Sequence, residues 1–208
     1  MKEIHVDLKA IALGKGAKIP EDLNVSWVDE VKGKSALKVQ PTKVEFCEED
    51  DWVLLLENIE FTEGVIEFDA LGQSEPRQSN FLGAAFHYID TQTHDAVYFR
   101  PFNFRAEDAD RKIHAVQYIS HPEYRWANLR REKPGQYEKG ILPAPDGDAW
   151  FHVRIVVANS RVSASVNGSS DPCLEVNELS SRKGGGVGLW VGPGQGGYFA
   201  NLRITCHR

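Results

Sequence analysis

The chain has 208 residues, 41% hydrophobic and 26% charged, enough for a substantial buried core; no linker interrupts it, so one domain over residues 1–208 is expected. Lys and Arg total 24 against 30 Asp and Glu, and the formal charge of -6 repels phosphate backbones, which argues against nucleic acid as a partner. No apolar run approaches the ~20 residues of a helical membrane span, so membrane insertion is not expected.

Residues 1–20 hold only short apolar stretches broken by Lys9, Lys15 and Lys18. No secretory h-region is visible there, and a cytoplasmic location is the expectation. Cys47, Cys173 and Cys206 are too few and too scattered for a disulfide framework or a metal spacing. One bridge plus a free thiol stays open; buried or idle thiols are the simpler reading.

Period two governs the hydrophobic pattern, and period 3.6 is almost absent. Strands are predicted at Ile4–Leu8, Asn24–Val28, Ser35–Val39, Lys43–Cys47, Val53–Glu57, Gly64–Leu71, Phe81–Ile89, Ala96–Pro101 and Ile113–Ile119. A short helical turn is predicted over Ala106–Lys112, acidic first and basic last, and a long loop over His121–Glu132. Trp150–Ala158 sets Phe151, Val153, Ile155 and Val157 against His152 and Arg154. Val162, Ala164 and Val166 alternate with polar residues over Arg161–Asn167, so Asn159-Ser160 predicts a hairpin and Asn167-Gly168 a closing turn. Val187–Val191 and Tyr198–Thr205 complete the series. Many short strands punctuated by 18 Gly and 10 Pro predict an all-β, two-sheet antiparallel jelly-roll sandwich with few or no helices.

Three stretches carry a family likeness. They are Phe61–Asp69, reading F-T-E-G-V-I-E-F-D; Trp150–Val157 followed by Arg161–Gly168; and Gly186–Trp190 followed by Phe199–Ile204. In order and spacing they resemble a strand, a hairpin and the closing strands of the concanavalin A-like lectin/glucanase superfamily, which includes laminin-G-like domains, legume lectins and family-16 glycoside hydrolases. The block Ala84–Glu138 is also loosely similar to 3-keto-disaccharide hydrolase-type domains. The resemblance implies a carbohydrate ligand. It also exposes two departures. Glu67 and Asp69 match the first two acids of the family-16 motif, but Leu71 and Gly72 stand where the third belongs. Ala200 occupies the place where laminin-G-like domains often carry a calcium-binding Asp, so a calcium site of that type is not expected.

Ile66, Phe68 and Ala70 put Glu67 and Asp69 on the opposite face of their strand, roughly 6.6–6.8 Å apart along the chain. Glycosidase pairs lie ~5–9.5 Å apart but flank the scissile bond, so two acids on one strand suit gripping hydroxyls better than cleaving between them. A salt-bridged strand face is the competing reading. Between Phe81 and Glu138 polar and aromatic residues are unusually dense: His87 beside Phe86 and Tyr88, then Tyr98 and Arg100 opposite Val97 and Phe99. Asn103, His114, Gln117 and Tyr118 follow. Sugars offer hydroxyls for polar contacts and apolar faces for stacking, with Trp126 and Tyr118 as stacking candidates. The expected site is therefore Glu67, Asp69, His87, Tyr98, Arg100, Asn103, His114, Gln117, Tyr118 and Trp126 on a concave sheet, with Arg100 as anchor and Glu67 or Asp69 holding it.

The alternatives are a glycoside hydrolase or lyase drawing its missing acid or base from Glu138, His114 or Tyr98, and a non-catalytic protein-interaction module. His87, His94, His114 and His121 lack the helical spacing of a zinc motif, so neither metal nor cofactor is expected. Arg125, Arg130, Arg131 and Lys133 read as a solvated basic loop, although an acidic sugar would suit them. Gly192–Gly197 reads as a loop between closing strands.

Overall fold

The computed structural model describes residues 2–43 and 50–207. The strand expected at Lys43–Cys47 therefore lies, beyond Lys43, outside the described residues, and Cys47 with it. The chain opens with β1 (Lys2–His5), α1 (Leu8–Ala12), β2 (Ala17–Lys18), β3 (Leu23–Val31), β4 (Lys34–Pro41), β5 (Trp52–Leu56) and β6 (Gly64–Leu71). Then come β7 (Leu82–Asp90), β8 (Thr93–Phe99), a 3-10 turn at Pro101–Asn103, α2 (Ala109–Lys112), β9 (Val116–Ser120), α3 (Trp126–Glu132) and β10 (Glu138–Lys139). It closes with β11 (Phe151–Ala158), β12 (Arg161–Val166), β13 (Leu174–Asn177), β14 (Gly186–Val191) and β15 (Gly197–Cys206).

These strands form two antiparallel sheets. The eight-stranded one runs β13-β12-β11-β6-β15-β4-β3, with β1 added against the second half of β15. The seven-stranded one runs β10-β9-β8-β7-β14-β5-β2. Alternation decides what lies between them. Ile66, Phe68 and Ala70 of β6, with Phe151, Val153 and Ile155 of β11, face Leu82, Ala84 and Phe86 of β7 and Val97 and Phe99 of β8. Each Val, Leu, Ile or Phe among them contributes about 1.5–3 kcal/mol when fully buried. Among the described residues no helix is long and apolar enough to cross a membrane.

The seven-stranded sheet is apolar on its outer face as well. Val53, Phe81, Ala85, Ala96, Tyr98, Phe102, Ile119 and Trp190 form a second cluster there, and Leu129 of α3 packs onto it. That cover corrects the loop expected at His121–Glu132: Trp126, Leu129 and Arg130 sit at helical spacing, and the helix lies over the sheet. A second correction falls on Ile4–Leu8. β1 ends at His5, Asp7 caps α1 by accepting from the Ala10 amide at 3.0 Å, and Leu8 and Ile11 turn inward. The turn at Ala106–Lys112 appears as α2, capped by Asp108. The Asn159-Ser160 hairpin also forms, both residues having positive φ and Ala158 pairing with Arg161.

Candidate functional site

A cavity of about 330 Å³ opens on the outer face of the seven-stranded sheet. Its floor comes from β8 and β14. Val97 and Phe99 enter the core, so Tyr98 and Arg100 point the other way, and the Tyr98 ring stacks on Trp190 with centroids 4.5 Å apart and planes 27° apart. Phe81 and Phe102 close one side, their rings 5.2 Å apart. Trp126, half-buried on α3, forms another wall, with the Arg130 guanidinium 4.9 Å from its ring centre.

Arg100 is the unusual residue. It is 5% exposed, yet its partners are neutral: the Tyr98 hydroxyl oxygen at 2.5 Å, Gln117 Oε1 at 2.6 Å and the His114 carbonyl at 3.0 Å. Among the described residues no carboxylate lies within ion-pairing distance of it. Burial pushes its pKa down, and burial likewise pushes the Tyr98 phenol up. Asn103, at the end of the 3-10 turn, donates to the same His114 carbonyl at 3.2 Å, while its buried Oδ1 has no hydrogen-bond partner among the described residues. Glu138 is saturated: Arg130 meets both its oxygens, at 3.3 and 3.0 Å, and His114 Nδ1 lies 2.6 Å from Oε2.

The lining is basic although the chain is acidic. Arg77, Arg100, Arg111, Arg125 and Arg130 line the cavity, against Asp50 and Asp51. Several of these arginines are held in place. Arg111 donates to the Phe102 carbonyl at 2.8 Å, and Arg125 to Gln92 at 2.8 Å. The solvated-loop reading is thereby corrected for Arg125 and Arg130, which α3 and its approach carry to the cavity. Arg131 instead pairs with Glu132 at the surface.

The structure thus brings together Tyr98, Arg100, Asn103, His114 and Trp126, with Gln117 directly behind Arg100. Four other expected positions lie elsewhere. Glu67 and Asp69 are on the outer face of the eight-stranded sheet, across the core from Arg100, so neither holds its guanidinium. Asp69 instead accepts from Lys34 at 2.7 Å, Asn201 at 2.6 Å and His152 at 2.8 Å. Glu67 lies 3.5 Å from Arg203 and 3.6 Å from His152, a salt-bridged strand face.

His87 and Tyr118 point between the sheets. A bulge in β7, with His87 at φ 48°, shifts the register and turns the ring inward onto Asp95 at 3.2 Å and the Thr62 carbonyl at 2.8 Å. Burial lowers the His87 pKa, but the bond to Asp95 and the Thr62 carbonyl outweigh it and leave it raised. Tyr118 donates to Asp95 Oδ1 at 3.0 Å from inside the core, so it stacks on no ligand in this cavity.

Sequence reasoning missed Trp190, Phe81, Asp51 and His121 as lining residues. Trp190 carried a signal, as the one bulky ring in the G-x-V-G-L-W strand. Asp51, just before β5, carried none.

No protein-family model matches the chain, and no curated protein does. Solved structures do. A carbohydrate-binding module, CBM66 from Bacillus subtilis, superposes with TM-score 0.58 at 13% identity over 91% of this chain and 96% of that one. A protein of unknown function from Shewanella oneidensis superposes with TM-score 0.56 at 6% identity, over 99% of this chain and 88% of that one. A candidate glycosyl hydrolase from Parabacteroides distasonis gives TM-score 0.50 at 14% identity, over 93% and 89%. The likeness is one of fold: a two-sheet antiparallel β-sandwich, shared with that carbohydrate-binding module at low sequence identity.

Proposed function

We propose that this chain binds a carbohydrate bearing carboxylate or sulfate groups in the cavity over the seven-stranded sheet. One observation carries the reading: a buried guanidinium, fixed by three neutral acceptors, borders a cavity walled by Trp126, Phe81 and the Tyr98–Trp190 pair. The guanidinium's positive charge, which those acceptors do not cancel, and the N–H groups they leave over favour a carboxylate or sulfate oxygen. Indole and phenyl walls take the apolar faces of a pyranose, and the unpaired Asn103 Oδ1 accepts from a hydroxyl. The surrounding arginines favour a ligand of negative charge. The likeness to a carbohydrate-binding module supports the fold required for this role and nothing finer.

Calorimetric titration with neutral and acidic oligosaccharides tests the reading, with a reducing-sugar assay on the same samples. Uronic or sulfated oligosaccharides bind, and Trp126→Ala weakens them by about 1–3 kcal/mol, roughly fivefold to 150-fold, with the melting temperature nearly unchanged. A protein that binds none of the panel, or a Trp126→Ala variant that binds as tightly as the parent, overturns it.

The second reading, hydrolysis, rests on the 2.6 Å contact between His114 and Glu138 at the cavity wall. Both Glu138 oxygens are already engaged by Arg130, which suits holding that arginine rather than delivering a proton. Release of reducing ends that disappears in Glu138→Gln would favour catalysis over binding alone.

A further inference from the structure

At one edge of the cavity, three segments far apart in sequence bring metal-ligating atoms together. Asp51 precedes β5, His94 lies on β8 and His121 follows β9, and one donor atom from each lies within 4.8 Å of the others. Both histidines are buried, at 0% and 3% exposure. His94 Nε2 is 3.8 Å and His121 Nδ1 is 3.5 Å from the same oxygen, Asp51 Oδ2.

These separations are long for hydrogen bonds. They are close to the edges of a coordination tetrahedron, since bonds of about 2.0–2.1 Å place neighbouring donor atoms roughly 3.3–3.5 Å apart. The unpaired nitrogens point the same way. Among the described residues, both ring nitrogens of His94 and Nδ1 of His121 have no hydrogen-bond partner, although such atoms are rarely buried unsatisfied. A bound cation would satisfy one nitrogen on each ring.

The neighbours hold this geometry. Trp190 donates to Asp51 Oδ2 at 3.2 Å, the kind of outer contact that orients a ligating carboxylate. The His94 ring is packed between Tyr88, centroids 5.9 Å apart, and His121 at 4.6 Å. The nearby Arg182 is paired with Asp95 at 3.0 Å, which compensates its charge.

We propose that Asp51, His94 and His121 bind a divalent transition-metal ion of the zinc class. Two imidazoles and one carboxylate suit Zn²⁺ or Co²⁺, whereas Ca²⁺ and Mg²⁺ prefer oxygen ligands alone. Three protein ligands leave a coordination position open. Asp51 and His121 also line the cavity, so that position lies on the ligand side. The site stands on its own geometry and does not depend on the carbohydrate reading.

The test is calorimetric titration of chelator-treated protein with Zn²⁺, paralleled by the visible absorption of added Co²⁺. One ion binds per chain, Ca²⁺ and Mg²⁺ do not compete, and cobalt gives the intense bands of a tetrahedral site. Asp51→Asn, nearly isosteric, weakens zinc binding by about a hundredfold or more while its metal-free melting temperature stays close to that of the parent. If that variant fails to fold, His121→Gln is titrated in its place, and the cobalt spectrum of the parent is decisive without any variant. No saturable binding of zinc or cobalt by the parent would overturn the proposal. So would folded Asp51→Asn and His121→Gln variants that bind zinc as the parent does.

Discussion

A guanidinium buried in a β-sandwich ordinarily meets a carboxylate, and Arg100 meets a phenol, an amide and a carbonyl instead. Each of those acceptors stabilises it somewhat, but none cancels its charge; on the proposed function that charge meets the ligand's anion. Arg100→Lys keeps the charge and loses the planar fork. The expected outcome is two losses together: about 1–2 kcal/mol of stability, and ligand binding weaker by about 1–3 kcal/mol. Thermal melts and titrations on this variant measure both. Lower stability with unchanged affinity would reduce Arg100 to a structural partner.

Asp69 behaves oppositely. Burial raises its pKa, but bonds from Lys34, Asn201 and His152 outweigh that and hold the carboxyl below its ordinary value. A folded-state pKa below the unfolded one, about 3.9, gives stability that is present above ~4 and lost as pH falls through the folded value. Asp69→Asn should therefore cost about 1–3 kcal/mol near neutrality, and the gap to the parent should close below pH ~4. Urea unfolding over a pH series measures it; a gap independent of pH would contradict the assignment.

Among strands and turns, alternation carried most of the information. The pattern predicted Gly64–Leu71 with the boundaries that β6 has, and it placed Tyr98 and Arg100 opposite Val97 and Phe99. Alternation names a face but not a sheet, which is why Glu67 and Asp69 were grouped with Arg100 although a core separates them. It also fails at an irregularity: the bulge at His87 inverts the face that period two assigns. The shortest elements were invisible. The start of α1 was read as the end of a strand at Ile4–Leu8, and the two-residue strands β2 and β10 exist because longer neighbours pair with them.

Two substitutions test this level. Ser160 sits at φ 59° in the hairpin, a conformation glycine adopts without strain. Ser160→Gly should stabilise by about 0.5–1 kcal/mol, the surface contact from Lys183 being a small loss. A denaturant midpoint that falls would contradict it. On β7, a Cβ at Gly83 would meet the Val97 carbonyl oxygen at 2.1 Å and Tyr98 Cα at 2.6 Å. Gly83→Ala should therefore cost about 1–3 kcal/mol, since the strand beneath the Tyr98–Trp190 stack must shift. Equilibrium unfolding that matches the parent would show that the two strands part at no cost.

Across the molecular surface, a net charge of -6 coexists with a cavity lined by arginines. The residues that line it come from widely separated parts of the chain, and sheet order unites them. β14 lies between β7 and β5, so Trp190 meets Tyr98 on one side and reaches Asp51 on the other. No local spacing encodes that meeting. The half of the site within Tyr98–Trp126 was legible because it is nearly contiguous; the half from Asp51 and Trp190 was not.

Four of the five tryptophans divide between the two faces of the sandwich. Trp126 and Trp190 line the arginine cavity, whereas Trp27 lines the depression beside Asp69, and Trp150, held by Lys34, belongs to that same sheet's side. Indole N–H resonances in a ¹H–¹⁵N correlation spectrum, followed while an acidic oligosaccharide is added, report on these four at once. Saturable shifts at Trp126 and Trp190, with Trp27 and Trp150 unmoved, are the predicted result. Shifts confined to Trp27 and Trp150 would put the ligand on the opposite face and contradict the assignment of the binding site.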